Sequence, residues 1–154
     1  MRKLPFLLCV FVLFFAACVK KETGCTPVSP QSEEGQIMKY ASDSSIAAIK
    51  HSSGIYYQIM DPGMGAKPTI SSTVSATYTG RLLNGTKFDE SLTPIDFPLS
   101  DVIEGWGIGI PLIAKGGRIK LIIPSSYAYG CIGRSGKIPA NAVLFFDVTL
   151  TNIK

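Results

Sequence analysis

The 154-residue sequence predicts an α+β domain that is rich in β-strands and carries one short helix. Three observations indicate this class. Apolar, β-branched and aromatic segments separated by turn residues begin near Gly54, one interior segment alone has helical character, and the last segment alternates between apolar and polar residues. The chain is long enough for one such domain and a short N-terminal segment.

The first strands of the domain are predicted over residues 55–59 and 74–83, where Ile, Tyr, Val and Thr are frequent. Asn84-Gly85 follows the second strand. Asn-Gly between two apolar runs is the strongest short-range signal for a β-hairpin, because these residues tolerate the positive φ angles of a type I′ turn. The return strand is therefore expected to start at Lys87.

One short helix is predicted within residues 102–115. Internal glycines and Pro111 limit its length, and Gly116 provides a C-terminal stop. A strand over residues 118–123 follows, and then a long loop over residues 125–142. A loop of this length in a small domain is usually functional.

The final strand is predicted over residues 143–153. Its large apolar residues share one face, because alternate side chains of a strand point to the same side of the sheet. They are Leu144, Phe146, Val148 and Leu150. Phe145 and Asp147 are expected on the opposite face.

The N-terminal residues 1–17 have the pattern of a signal peptide, with Arg2 and Lys3 before an apolar run. The run is too short to cross a bilayer comfortably, although a short membrane anchor is an alternative. Ala16-Ala17-Cys18 resembles the lipobox of bacterial lipoproteins. That resemblance implies cleavage before Cys18, acylation of this residue and a lipid anchor in a membrane; ordinary cleavage with a free thiol is the alternative.

Three segments are predicted after the leader: a flexible tether over 18–35, a helical spacer over 36–53 and the β-rich domain over 54–154. The spacings of the four cysteines match no common zinc or redox pattern. Cys25 is expected as an exposed thiol in the tether, and Cys131 as a small apolar residue in the long loop.

Several function classes have little support in the sequence. The formal charge of +4 without an extended basic run argues against nucleic-acid binding. The single histidine, His51, precedes the domain, so a histidine-based triad lacks its base. No cluster of cysteine, histidine and carboxylate residues suggests a metal, and no glycine-rich loop suggests a nucleotide. No cofactor is therefore expected.

What remains is a set of aromatic residues and turn motifs in a defined order, which a β-domain core alone would not require. The order is Tyr78-Thr79-Gly80, Gly85, Phe88-Asp89, Val102-Ile103, Gly105-Trp106, Lys115-Gly116-Gly117, Ile123-Pro124, Tyr127-Ala128-Tyr129-Gly130, Ile138-Pro139 and Leu144-Phe145-Phe146-Asp147-Val148. This series resembles the FKBP family of peptidyl-prolyl cis-trans isomerases from about residue 54 to the last residue. The leader and spacer resemble those of bacterial envelope members.

The resemblance implies a twisted antiparallel sheet wrapped around one short helix, with an apolar pocket for the proline ring. Trp106 would form the floor of the pocket, and Tyr78, Phe88 and Phe146 its walls. The site would be completed by Asp89 at the rim, Val102 and Ile103 at the side, Tyr129 as a hydroxyl donor and Ile138 as an apolar contact. The Ile103 backbone N–H would bind a carbonyl of the substrate.

The function implied is cis-trans isomerisation of X-Pro bonds in envelope or secreted proteins, which would assist their folding. The partners implied are proline-containing polypeptides, macrolide inhibitors and, through the lipid anchor, a membrane of the bacterial cell envelope. Ile95 stands where some relatives carry an aromatic residue, so we expect weaker macrolide binding. Two alternatives remain: a non-catalytic chaperone-like lipoprotein that binds peptides in the same pocket, and a structural surface lipoprotein.

Overall fold

The structure, a computed structural model, describes residues 24–154. Two α-helices and six strands lie in these residues: α1 Pro30–Asp43, β1 Ile49–Lys50, β2 Tyr56–Asp61, β3 Thr73–Leu82, β4 Lys87–Pro98, α2 Glu104–Gly109, β5 Arg118–Ile123 and β6 Leu144–Ile153. The predicted signal peptide and Cys18 lie outside the described residues. Within the described range, no helix has the length and apolar character needed to span a membrane.

The six strands form one antiparallel sheet in the order β1-β2-β5-β6-β3-β4. β3 and β4 form the predicted hairpin around Asn84-Gly85, and Gly85 has the positive φ of +88° that the turn requires. A register shift between Ala76 and Tyr78 leaves two extra residues on β4 and bends this edge of the sheet. The α+β class and the antiparallel sheet are thus confirmed.

Both faces of the sheet carry a cluster of buried apolar residues. On one face, α2 packs against the main core, which includes the alternating residues Leu144, Phe146, Val148 and Leu150 of β6. On the other face, Phe145 packs against Tyr40 of α1, with their ring centroids 5.5 Å apart. The predicted alternation of β6 is confirmed. It produces two cores because each strand presents every second side chain to the same face.

The N-terminal segments differ from the predictions. Instead of a tether to residue 35 and a spacer over 36–53, a helix begins at Pro30 and ends at Asp43. The Ser29 hydroxyl accepts a hydrogen bond from Ser32 N–H, and Pro30 occupies the first turn. A serine N-cap followed by proline is a common start of an α-helix. Ile37 and Ala41 are buried against the sheet. The helix is therefore part of the packed domain.

The helix is also attached to the long loop through a buried carboxylate. Glu33, which is 3% exposed, accepts a hydrogen bond from Ser125 N–H at 2.9 Å. Two further contacts bind the N-terminal region to this loop: the Tyr127 hydroxyl donates to Ser53 O at 2.6 Å, and Cys25 is joined to Cys131 by a disulfide. The expectations of an exposed Cys25 thiol and a Cys131 filler were wrong, because the chain before α1 runs back along the loop.

We predict that the Cys25–Cys131 disulfide contributes substantially to stability, because it closes a loop of 106 residues in the unfolded chain. Cys25→Ser/Cys131→Ser should lower the free energy of unfolding by about 2–4 kcal/mol. Urea unfolding under non-reducing conditions measures this change. Addition of a thiol reductant should lower the wild-type value to that of the variant and leave the variant unchanged; a reductant-insensitive wild type would show that the disulfide is dispensable.

Candidate functional site

A cavity of about 490 Å³ opens between α2 and strands β3, β4 and β6. Its lining is Tyr78, Phe88, Asp89, Ile95, Phe97, Asp101, Val102, Ile103, Trp106, Ala128, Tyr129 and Phe146. Eight of the nine predicted pocket residues are therefore brought together from five separate stretches of the chain. Such a volume is typical of small-molecule sites.

Ile138 is the predicted site residue that does not line this cavity. It is 4% exposed and belongs to the main core. Its backbone exchanges two hydrogen bonds with Arg134, of 2.8 and 2.9 Å, and these close a short hairpin in the long loop. The Ile138 side chain packs in the core cluster that also contains Trp106 and Phe146, so its contact with a ligand stays a prediction.

Trp106 lies on α2 and is 5% exposed. Three aromatic rings surround its indole: Tyr78, Phe146 and Phe97, with centroid distances of 5.0, 5.2 and 5.3 Å. The Tyr78 and Phe146 rings meet it edge to face, which is a favourable aromatic arrangement. These contacts fix the plane of the indole at the bottom of the cavity.

The glycines of α2 explain how the helix comes close enough to the sheet to place Trp106 there. A Cβ atom on Gly105 would lie 2.4 Å from Ile123, and one on Gly109 would lie 2.5 Å from Leu121. A side chain at either position would therefore require the buried Ile123 or Leu121 side chain to shift. The glycines that weaken the helix in isolation allow it to pack directly on β5.

Phe88 and Phe146 form an aromatic wall of the cavity. Phe88 lies on β4 and is 8% exposed, whereas Phe146 lies on β6 and is 4% exposed. Their rings meet edge to face, at an angle of 89° and a centroid distance of 5.5 Å. Because Phe146 also contacts Trp106, floor and wall form one connected aromatic cluster.

The polar groups of the cavity are held at its edge. The Tyr78 hydroxyl donates a hydrogen bond to Asp89 Oδ2 at 3.1 Å, and Asp89 Oδ1 accepts one from Glu90 N–H at 3.0 Å. Burial, together with the adjacent Asp89 carboxylate, raises the pKa of Tyr78 to about 12. Tyr78 is therefore a neutral hydrogen-bond donor at physiological pH, and Asp89 has a fixed orientation.

Two further hydrogen-bond donors are open to a ligand. Ile103 immediately precedes α2, and its N–H donates to no acceptor among residues 24–154. The Tyr129 hydroxyl has no partner in the same part of the chain, and Tyr129 lines the cavity from the long loop. A peptide carbonyl could accept a hydrogen bond from either group.

The long loop holds Tyr129 through the contacts of its neighbours with the N-terminal region. Ser125, Tyr127 and Cys131 are all bound to that region, whereas Ala128 and Tyr129 face the cavity. The hydrogen bond of Tyr127 to Ser53 orders the loop on the side away from the cavity.

Phe97, Asp101 and Ala128 line the cavity but were not predicted. Phe97 lies two residues after Ile95 on β4, so strand alternation places both side chains on the cavity side. That periodicity could have indicated Phe97. Asp101 lies in a short 3₁₀ turn before α2, and no sequence pattern marks its position.

The raised pKa of Tyr78 leads to a prediction about alkaline stability. The unfolded chain ionises this phenol near its ordinary pKa of about 10, whereas the folded protein keeps the proton up to about 12. The folded state is therefore stabilised below pH 10, and this contribution is lost as the pH rises from 10 to 12. Between pH 10 and 12 the midpoint of urea unfolding should fall more in the wild type than in Tyr78→Phe. An equal fall in both proteins would contradict a raised pKa of Tyr78.

Comparisons with known proteins find a family model and relatives similar to this chain. The family model described as FKBP-type peptidyl-prolyl cis-trans isomerase matches residues 65–151. The chain is 49% identical over 105 residues to FkpA, an FKBP-type peptidyl-prolyl cis-trans isomerase of Aeromonas hydrophila, and 43% identical over 119 residues to FkpA of Escherichia coli K12. These alignments cover 66% and 75% of this chain but only 39% and 43% of the two relatives, so the chain spans about two fifths of their length.

Solved structures show the same fold. The crystal structure of FkpA from Escherichia coli superposes with a TM-score of 0.72 at 38% identity, covering 81% of this chain and 61% of that one. A peptidyl-prolyl cis-trans isomerase from Pseudomonas syringae superposes with a TM-score of 0.70 at 28% identity, covering 84% of this chain and 98% of that one.

Proposed function

Because this chain belongs to the FKBP-type peptidyl-prolyl cis-trans isomerase family, we propose that it catalyses rotation about X-Pro bonds in other polypeptides. One observation carries the proposal: an aromatic cavity of about 490 Å³ with Trp106 at its floor and two open hydrogen-bond donors, Ile103 N–H and Tyr129 O–H, at its edge. An apolar ring fits the floor, and peptide carbonyls fit the edge.

The reaction requires no nucleophile. Amide resonance holds the X-Pro bond planar with a barrier of about 20 kcal/mol, and uncatalysed rotation takes tens to hundreds of seconds. Rotation breaks no covalent bond. The enzyme therefore needs only to bind the twisted amide more tightly than the planar one.

The apolar surroundings of Trp106 provide this difference. A planar amide is more dipolar than a twisted one, because resonance separates charge between its oxygen and nitrogen. Transfer from water into the cavity between Phe88, Phe146 and Trp106 therefore disfavours the planar ground state relative to the transition state. The proline ring contributes binding by burying its methylene groups, at about 0.8 kcal/mol each.

The groups at the edge of the cavity hold the chain on either side of the rotating bond. We assign Ile103 N–H and the Tyr129 hydroxyl to carbonyls of the substrate, each contributing about 1 kcal/mol. Val102 provides apolar contact at the side. Asp89, oriented by the Tyr78 hydroxyl, places a carboxylate near the twisted amide. Fixing the flanking chain lets one part of the peptide turn against the other.

The direct test is isomerisation of a Xaa-Pro peptide by the full chain, because residues 1–25 include Cys25, which is bonded to the loop of the site. The expected result is a rate above the uncatalysed background that rises linearly with enzyme concentration. We expect macrolides to inhibit competitively, since the same cavity would hold them. A rate equal to the background, with peptide binding retained, would favour the alternative of a non-catalytic peptide-binding chaperone.

We further propose that the protein acts in the bacterial cell envelope as a lipoprotein, on envelope or secreted proteins that are folding. The leader over residues 1–17 and the lipobox-like Ala16-Ala17-Cys18 support this proposal. Acylation of Cys18 would anchor the chain, since each buried methylene adds about 0.8 kcal/mol. Cys18→Ser should release the protein from the membrane fraction of cells, whereas unchanged fractionation would contradict a lipid anchor at this residue.

A further inference from the structure

The tip of the long loop carries a surface that the isomerase site does not use. Ile132, Arg134 and Lys137 border a groove of about 320 Å³ next to Leu82 and Pro139. We call these three residues the basic tip. Ile132 is 84% exposed, although it is a large apolar residue, and both cations are exposed.

The positive charge of the basic tip is not neutralised within residues 24–154. Neither Arg134 nor Lys137 forms a salt bridge there, and no acidic residue lines the groove. An exposed apolar side chain beside two cations without salt bridges matches an anionic phospholipid surface: the cations would approach the headgroups, and the apolar chain would enter the acyl boundary.

The disulfide brings this surface close to the proposed anchor. Cys18 precedes Cys25 by seven residues, and Cys25 is bonded to Cys131, the residue before Ile132. Seven extended residues span at most about 25 Å. Without the disulfide, the first packed residue after Cys18 would be Pro30 of α1, twelve positions later, and the chain between them could reach about 43 Å. In a chain acylated at Cys18, the cross-link would therefore keep the basic tip close to the membrane.

We infer that, in the membrane-anchored protein, the basic tip docks on anionic phospholipid and holds the isomerase pocket close to the bilayer surface. The inference rests on the lipid anchor proposed above. Tyr129 lines the pocket two residues before Cys131, so docking of Ile132 fixes the pocket wall relative to the membrane. The connecting segment carries Lys20 and Lys21 against one carboxylate, Glu22, and so has a formal charge of +1. The pocket would then act on clients near the membrane.

Lysine reactivity on vesicles tests this docking. The full, acylated chain is reconstituted in phosphatidylcholine vesicles with or without about one third phosphatidylglycerol, and a water-soluble acetylating reagent is added. Acetylation of Lys137, measured by mass spectrometry, should be at least about fivefold slower on the anionic vesicles, as expected for one basic residue held at the surface. Lys115, which is also exposed and precedes β5, is the internal reference. High salt should remove the protection.

Matched variants separate docking from a general effect of charge. Ile132→Ser/Arg134→Ser keeps Lys137 as the reporter and should abolish the lipid-dependent protection. Met64→Ser/Lys67→Ser removes an apolar residue that is 85% exposed and an exposed cation without a salt bridge among the described residues. Met64 pairs with Lys115, which lies just before the start of β5. The long loop with the basic tip begins after the end of β5, so the two surfaces lie at opposite ends of this strand. The control variant should keep full protection.

The outcomes distinguish this inference from the proposed function. Vesicle flotation reports the anchor, and peptide isomerisation on the same vesicles reports the enzyme. A chain that floats and isomerises, but shows equal Lys137 acetylation on both vesicle types, would overturn the docking alone. A chain that does not float would overturn docking and anchor together. If an acidic peptide protected Lys137 from acetylation and anionic vesicles did not, the docking on phospholipid would also be overturned, because the basic tip would then bind a protein.

Discussion

Trp106→Ala is expected to lower kcat/KM for a Xaa-Pro peptide about fiftyfold. The indole forms the floor against which the proline ring would lie, and it is held by Tyr78, Phe97 and Phe146 at centroid distances of 5.0–5.3 Å. Without it, the three ring methylenes lose their apolar contact, at about 0.8 kcal/mol each, or about 2.4 kcal/mol in total. Isomerisation rates over a range of peptide concentrations measure the effect.

The same substitution is expected to destabilise the fold, because truncation of a buried aromatic residue to alanine costs about 3–5 kcal/mol. Activity must therefore be expressed per folded molecule, with the folded fraction taken from circular dichroism. Trp106→Leu is the companion variant, since it fills more of the cavity and retains an apolar floor. Its activity should lie between those of the wild type and Trp106→Ala. A folded Trp106→Ala protein with wild-type activity would remove Trp106 from the site.

The fold could be predicted where a local pattern determines the structure. The strand over residues 118–123 has the predicted bounds, and the Asn84-Gly85 hairpin is present, because turn chemistry and alternation act between neighbouring residues. The helix predicted within residues 102–115 is shorter, at Glu104–Gly109, and is followed by a 3₁₀ turn containing Pro111. Most of the cavity was also predicted, because a resemblance to a known family assigns positions that periodicity alone does not.

The errors concern contacts between residues that are distant in the sequence. The bond between Cys25 and Cys131 joins positions 106 residues apart, and no local pattern indicates it. The helix that begins at Pro30 had a local signal, Ser29 before a proline, but the polar composition around it concealed that signal. Its burial depends on Ile37 meeting the sheet, which only the tertiary structure provides.

Adjacent phenylalanines on β6 provide a matched test of the pocket, because the sheet separates their side chains. Phe146 lies in the main core and contacts Phe88 and Trp106, whereas Phe145 contacts Tyr40 on the opposite face. Leucine at either position keeps an apolar side chain of similar size, a change that usually costs less than about 1.5 kcal/mol of stability. Both variants should therefore fold.

Phe146→Leu should lower kcat/KM about tenfold, and Phe145→Leu should leave it within about twofold of the wild type. The first substitution removes two edge-to-face aromatic contacts, each worth about 0.5–1.5 kcal/mol, and loosens both floor and wall of the cavity. The second leaves the cavity lining intact, since Phe145 does not line it. Peptide isomerisation and urea unfolding are measured for both variants. Equal losses of activity in the two variants would mean that these substitutions act by destabilising the fold. A loss of activity in Phe146→Leu alone is what an aromatic pocket on one face of the sheet requires.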